Sequence, residues 1–277
     1  LTEYRADRKF SQFAYVDAIE LYGRLVKRGD SSKHVVRRLA DAYRLTDDFK
    51  NAETWYDYLV TVKQDSTPRN LYYYAEMLKA NGKYTESVKW MDKYGDFRPD
   101  DLRTQVGVTT EPIVAELLKD STRYILNLLE MNSPYGEFGP MFYKNALVFS
   151  SSRPETVEPV KHRYPWNELP YFDLYYGEIL DNGYLDTITK FAEKINTIYH
   201  EGPVDFSDDD DVMFFTRNNY TNKKITRDQE KINYLQIYEA EFKSGEWEEL
   251  LPLPFNADTF STGHPSLTPD GKRMYFA

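Results

Sequence analysis

The chain contains no cysteine, which removes disulfides, thiolate zinc sites and thiol nucleophiles together. It does not select a compartment, because proteins of oxidising spaces can dispense with bridges. Histidine is nearly as scarce: His34, His162, His200 and His264 are the full set, and none has a His-Glu-x-x-His partner. So scattered a set gives no motif-based metal site, and no metal or cofactor is expected. No run approaches the roughly 20 apolar residues of a membrane span, and no charged-then-apolar leader is present. The first residue is Leu1 rather than Met, and the expectation is a leader or lipid anchor removed or left out. Basic residues are in deficit, 35 against 45 acidic ones, for a net charge of -10. A phosphate backbone is repelled by such a chain, which excludes nucleic acid as a partner. Gly-x-Ser-x-Gly elbows, phosphate-cradling loops and dinucleotide fingerprints are missing too, so no enzyme activity is expected.

What is present is repetition. At 277 residues and 41% apolar composition there is material for one large domain or two ordinary ones. "YVDAIELYGRL", "FKNAETWYDYL" and "YTESVKWMDKY" align without gaps around Ala18, Ala52 and Ser87. The period is 34 residues and then 35, and a second small position, Ala6, Ala40 and Ala75, keeps it. Small residues at two fixed places in such a period are what paired helices need where their backbones approach. This pattern resembles the tetratricopeptide family over about residues 1–100. "TDDF" and "NGKY" supply turns, with Gly82 suited to a left-handed helix end. Tyrosine and tryptophan along these helices serve inter-repeat packing or a concave surface that holds a partner peptide.

After Pro99 the helical period fades. A short helix is expected over "EPIVAELLKD" (residues 111–120) and an extended run over "RYILNLLEMN" (123–132). Beyond it "FGPMFYKNALVFSSSRP", "EGPVDFSDDDDVMFFTRNN" and "GHPSLTPDGKRMYFA" share proline, apolar, polar turn and alternating strand, at a spacing of 61 to 64 residues. "YFDLYYGEIL" corresponds to "YLQIYEAEFK", and "GEWEELLPLPFN" supplies a fourth extended segment. Four short strands per unit are the pattern of propeller blades, and the unit resembles the WD-like, TolB-type repeat. The fold expectation is therefore α + β multidomain: a tetratricopeptide solenoid with linker over 1–120, then part of a β-propeller over 121–277. Only two blades and the start of a third fit, so the polypeptide is expected to continue. Tyr124 to Glu130 is expected to be the outer strand of the final blade.

The combination, with "SPYGEFGPMFY", "YHEGPVDFS" and "LPLPFNADTFSTGHPSLTPDGKRMYFA" in order, resembles Bacteroidota OmpA-family envelope proteins, including components of type IX secretion. That resemblance implies a non-enzymatic periplasmic scaffold associated with the outer membrane through a lipid anchor. Its implied partners are envelope or secretion-machine proteins and, through a C-terminal OmpA-like domain absent here, peptidoglycan. The alternative is a propeller-gated serine peptidase whose hydrolase domain lies downstream.

Few single residues stand out. Asp208 to Asp211 reads as a solvated turn or, less well, a calcium loop, since it lacks alternating ligands and glycine. His200 and His264 each precede a blade's first strand and either bond to neighbouring backbone or line a ligand opening. The insertion "RNNYTNKKITRDQEKIN" carries Lys223, Lys224, Arg227 and Lys231. It is either decoration or a contact surface for an acidic partner.

Overall fold

In a computed structural model, residues 1–106, 116, 118–129, 131–154 and 162–277 are described. The chain divides into two units, Leu1–Asn127 with Pro165–Asn167 and Leu128–Tyr164 with Glu168–Ala277.

The first unit is helical. Three helix pairs follow one another: α1 (Thr2–Ser11) with α2 (Tyr15–Lys27), α3 (Lys33–Leu45) with α4 (Phe49–Asp57), and α5 (Pro68–Ala80) with α6 (Tyr84–Phe97). A short α7 (Leu102–Val106) follows. Ser32 and Asp48 accept backbone N–H groups at the starts of α3 and α4, and Pro68 occupies the first turn of α5, where no donor is required. Within each pair the turn is the same device. Phe13, Asp47 and Gly82 take left-handed backbone, at φ 60°, 60° and 76°. The next N–H then reaches back to close the helix: Ala14 to Lys9, Asp48 to Tyr43 and Lys83 to Leu78, at 2.8–3.0 Å. Only one of the three is the glycine that the sequence advertises. After α4 the chain makes a π turn over Tyr58–Val62 that the repeat pattern does not announce.

The recurrent small positions are the closest approaches. Ala6, Ala18, Ala40, Ala52 and Ala75 are wholly buried, and the Ser87 hydroxyl donates to the Ala75 carbonyl at 2.8 Å. Tyr22 and Tyr56 fill the wider gaps, both with no exposed surface. Ala52→Leu is expected to cost about 1–3 kcal/mol by overpacking, measured by chemical denaturation of the helical unit. An unchanged midpoint would mean that the approach is not close.

The second unit is built of antiparallel sheets. One has the order β1 (Glu137–Tyr143), β2 (Ala146–Ser151), β3 (Asp173–Glu178), β4 (Thr189–Lys190). The other runs β5 (Glu201–Phe206), β6 (Val212–Asn218), β9 (Leu235–Lys243), β10 (Glu246–Pro252), with the hairpin β7 (Tyr220–Thr221) and β8 (Lys224–Ile225) set between its second and third strands. A last hairpin pairs β11 (Ser266–Leu267) with β12 (Met274–Tyr275) around Gly271. The two large sheets share one core: Tyr143, Val148, Leu174 and Phe191 from the first pack with Val204, Phe206, Phe215, Tyr238 and Trp247 from the second. Four strands per repeat, in chain order, match the expectation, and so do the equivalent places of β3 and β9. The acidic run is the turn between β5 and β6, where Ser207 donates to Asp209 at 2.6 Å and Asp210 has φ 60°. Residues 124–129, expected as the outer strand of the final blade, carry no strand pairing among the described residues, which hold no third four-stranded sheet for them to join, and Ile125 and Leu126 are almost fully exposed. Glu130 and six of the ten residues of the expected helix over 111–120 lie outside the described residues, while Glu116 and Leu118 are helical.

Candidate functional site

The helical repeat carries a polar ladder along its first-of-pair helices. Tyr22 of α2 donates to Asp7 of α1 at 2.6 Å, and Asp7 meets His34 Nε2 of α3 at 2.8 Å. One period on, Tyr56 of α4 donates to Asp41 of α3 at 2.5 Å, and Arg69 Nη2 of α5 donates to both Asp41 oxygens at 2.9 Å. Burial pushes the Tyr22 and Tyr56 hydroxyls far above their usual range and the facing carboxylates push them further, so both stay donors. For Asp7, burial alone acts upward, but the bonds from Tyr22 and His34 outweigh it and hold the carboxyl below its usual range.

From the second rung onward the surface is basic. Arg37, Arg38, Asp41, Thr67, Arg69 and Asn70 line a cavity of about 290 Å³. Another of about 250 Å³ is lined by Arg69, Tyr72, Tyr73, Tyr94, Arg98 and Arg103, with Pro68. The shared residue is Arg69. The tyrosines hold the guanidinium groups in place: Arg44 and Arg69 lie over the Tyr73 ring at 4.0 and 4.8 Å, and Arg103 over Tyr72 at 4.3 Å. Asp41, Asp65 and Asp101 are the carboxylates paired here, which leaves a surplus of cations on a chain of net charge -10. Asn70 is fully buried: its Nδ2 donates to the Asp65 carbonyl, while Oδ1 has no partner among the described residues. Tyr22 and Tyr56 fall at a recurrent large position of the aligned repeat, but Asp7, Asp41 and the arginines were not singled out from sequence. The signal was available, because Asp7 and Asp41, Tyr22 and Tyr56, and His34 and Arg69 all keep the period of 34 to 35 residues.

In the second unit the structure places the six sequence-selected residues as follows. His200 is mostly enclosed by Tyr164, Tyr171 and Phe172, and its Nδ1 accepts the Phe172 N–H at 3.1 Å. Burial pulls its pKa down to about 4, so the ring is neutral near pH 7. His264 has an exposed side chain and a left-handed backbone at φ 57°, with its N–H donated to Thr216 Oγ1 at 2.8 Å. Lys223, Lys224, Arg227 and Lys231 are all exposed. Their loop is ordered by side-chain-to-backbone bonds rather than by apolar burial. Asp228 Oδ1 accepts the N–H groups of Glu230 and Ile232 at 2.9 Å, and Asn233 Nδ2 donates to the Asn219 and Thr226 carbonyls. A chain of rings, Tyr220 to Tyr199 to Tyr171 to His200, at 5.1, 5.3 and 4.6 Å, brings the loop and His200 to one end of the sheets.

A second recurrent device lies beneath that end. Ser133 donates to Glu137 at 2.6 Å, and Glu137 pairs with Arg153. Sixty-four residues later Thr197 donates to Glu201 at 2.6 Å, and Glu201 stands opposite Arg217 across β5 and β6. The spacing is identical in both copies. Burial differs: Glu201 has no exposed surface, and desolvation raises its carboxyl well above the usual range, against the Thr197 bond and the Arg217 charge. For Glu137 burial acts upward as well, but the Ser133 and Arg153 bonds prevail and lower it.

No family model matches the chain, and no curated protein matches it. Solved structures resemble it in part, among them two tetratricopeptide domains. The first tetratricopeptide domain of Spaghetti (RPAP3), bound to the HSP90 peptide SRMEEVD, is 17% identical, with 43% of this chain and 90% of that one covered and a TM-score of 0.35. The Sgt2 tetratricopeptide domain from Aspergillus fumigatus is 12% identical, with 48% and 89% covered and a TM-score of 0.34.

Proposed function

We propose that this chain is a non-enzymatic adaptor whose helical unit holds an acidic, extended segment of a partner protein. The observation that carries this reading is the pair of cavities joined at Arg69, lined by Arg37, Arg38, Arg98 and Arg103 and by tyrosine rings. Fixed guanidinium groups suit carboxylates, which they meet with two donors at once, and the tyrosine faces suit the apolar or aromatic side chains between them. The helical unit is read as a tetratricopeptide-type solenoid on its period, its paired helices and its repeated turn, and the β unit as consecutive blades of a propeller. In its setting, the protein is proposed to be periplasmic and tied to the outer membrane, similar to the PorE-type component of the type IX secretion system. On that proposal an OmpA-like domain following residue 277 binds peptidoglycan, and the helical unit binds envelope or secretion proteins.

The test has two parts. Fluorescence anisotropy with a labelled peptide of alternating glutamate and tyrosine is expected to show saturable binding that weakens with salt. Arg37→Gln with Arg98→Gln, which spares the Asp41 bond, is expected to weaken it at least tenfold. Equal affinity in the double variant would overturn the cavity assignment. Co-purification from detergent-solubilised membranes tests the setting: recovery with no envelope protein would sink it.

A further inference from the structure

We propose that Glu3, Asp7 and His34 form a binding site for a divalent transition metal of the zinc type. Among the described residues these three bring one donor atom each to within 4.8 Å of one another. Glu3 and Asp7 are one helical turn apart on α1 and so share a face, and His34 stands in the first turn of α3. His34 Nε2 is 2.8 Å from Asp7 Oδ1 and 3.9 Å from Glu3 Oε1. Donors bonded at about 2.0–2.2 Å to a tetrahedral zinc stand about 3.4 Å apart. The two separations bracket that value, so small side-chain movements suffice.

The repeat itself supplies the second argument. One period later the corresponding positions are Arg37, Asp41 and Arg69, two permanent cations flanking one carboxylate. In the first rung both cations are replaced, Arg37 by Glu3 and Arg69 by His34. The ladder therefore keeps its tyrosine and its central aspartate but has neither cation at these two positions, and the Arg38 charge is the permanent one that still acts on Asp7 and Tyr22. A divalent ion restores the missing charge at the same place. Tyr22 fixes the Asp7 carboxylate with a 2.6 Å bond to Oδ1, the same oxygen that meets His34, and hydrogen-bonded partners of this kind orient metal ligands. Two carboxylates with one imidazole suit zinc better than calcium, which takes six to eight oxygens. Side-chain exposures of 35–47% leave the site open to solvent. Three protein donors leave a position for water or for a partner's side chain.

The experiment is titration of the 277-residue chain with zinc chloride alone, followed by calorimetry and by thermal melting. One equivalent is expected to bind, with a rise of several degrees in the melting temperature at about a hundredfold excess over Kd. His34→Ala is expected to weaken binding at least tenfold. His34→Arg reproduces the chemistry that Arg69 brings to the next rung. It should melt no lower than the parent without metal, yet show no zinc-dependent rise. Because this variant has a built-in partner for Asp7, it keeps the test sound even where His34→Ala folds poorly. No saturable binding, or equal binding in His34→Arg, would overturn the site.

Discussion

Gly202→Ala is expected to destabilise the β unit by about 2–5 kcal/mol, from overpacking of about 1–3 kcal/mol and the cost of left-handed backbone, about 1–2 kcal/mol. Gly202 has φ 97°, and a Cβ there would lie 1.8 Å from Ser150 Oγ and 3.1 Å from Leu174 Cδ2. Ser150 and Leu174 belong to β2 and β3 and are fully buried, so neither has room to withdraw. The position is where β5 of one sheet passes directly over the other, and only a residue without a side chain allows it. Denaturant unfolding should show the loss. Ser150→Gly added to Gly202→Ala removes the steric clash but not the backbone cost, so it should restore part of the stability and not all. Full stability in the single variant would mean that the sheets are not held at this separation.

That tolerance was not legible in the sequence, although the sheets were. Periodicity reports which side chains face a core, and the strands β3 and β9 were found at equivalent places because their apolar residues alternate in the same register. It does not report which backbones touch. The same division holds in the helical unit. The small residues Ala18, Ala52 and Ser87 could be aligned because close helix packing forbids anything larger. The left-handed residues Phe13 and Asp47 could not, because nothing in a phenylalanine or an aspartate advertises positive φ as Gly82 does. Phe13 and Asp47 stand where the local backbone bonds from Ala14 to Lys9 and from Asp48 to Tyr43 close the turn.

The polar sites divide in a similar way. Lys223, Lys224, Arg227 and Lys231 drew attention because they are cationic in an acidic chain, and they are exposed as charge requires. What orders their loop, the Asp228 and Asn233 bonds, involves residues that are ordinary in any loop sequence. Arg69 and Asp41 were hidden differently: each is a common charged residue, and only the spacing of 34 to 35 residues, applied to polar as well as to apolar positions, reveals that they repeat Asp7 and His34. A repeat search restricted to small and aromatic residues passes over the surface that most distinguishes the rungs.

The remaining expected effect is on pH dependence, and it comes from two adjacent residues with opposite signs. His200 is pulled down to about 4 by burial against an ordinary 6.5. Its neutral form therefore contributes stability that is complete above pH 6.5 and is lost as pH falls toward 4, up to about 3 kcal/mol at about 1.4 kcal/mol per pH unit. Glu201 is raised well above 4.5 by its complete burial. Its contribution is complete below pH 4.5 and is lost, at the same rate per unit, as pH rises toward its folded value. Between 4.5 and 6.5 the two slopes oppose, because unfolding takes up a proton at one residue and releases one at its neighbour. Glu201→Gln removes only the second slope. Relative to the parent chain it is expected to gain stability steadily from pH 4.5 upward, while His200→Gln should gain on the parent as pH falls below 6.5. Denaturation midpoints at half-unit intervals from pH 4 to pH 8 would decide it: parallel curves for Glu201→Gln and the parent would mean that Glu201 is ionised in the folded state, with Arg217 supplying the compensating charge.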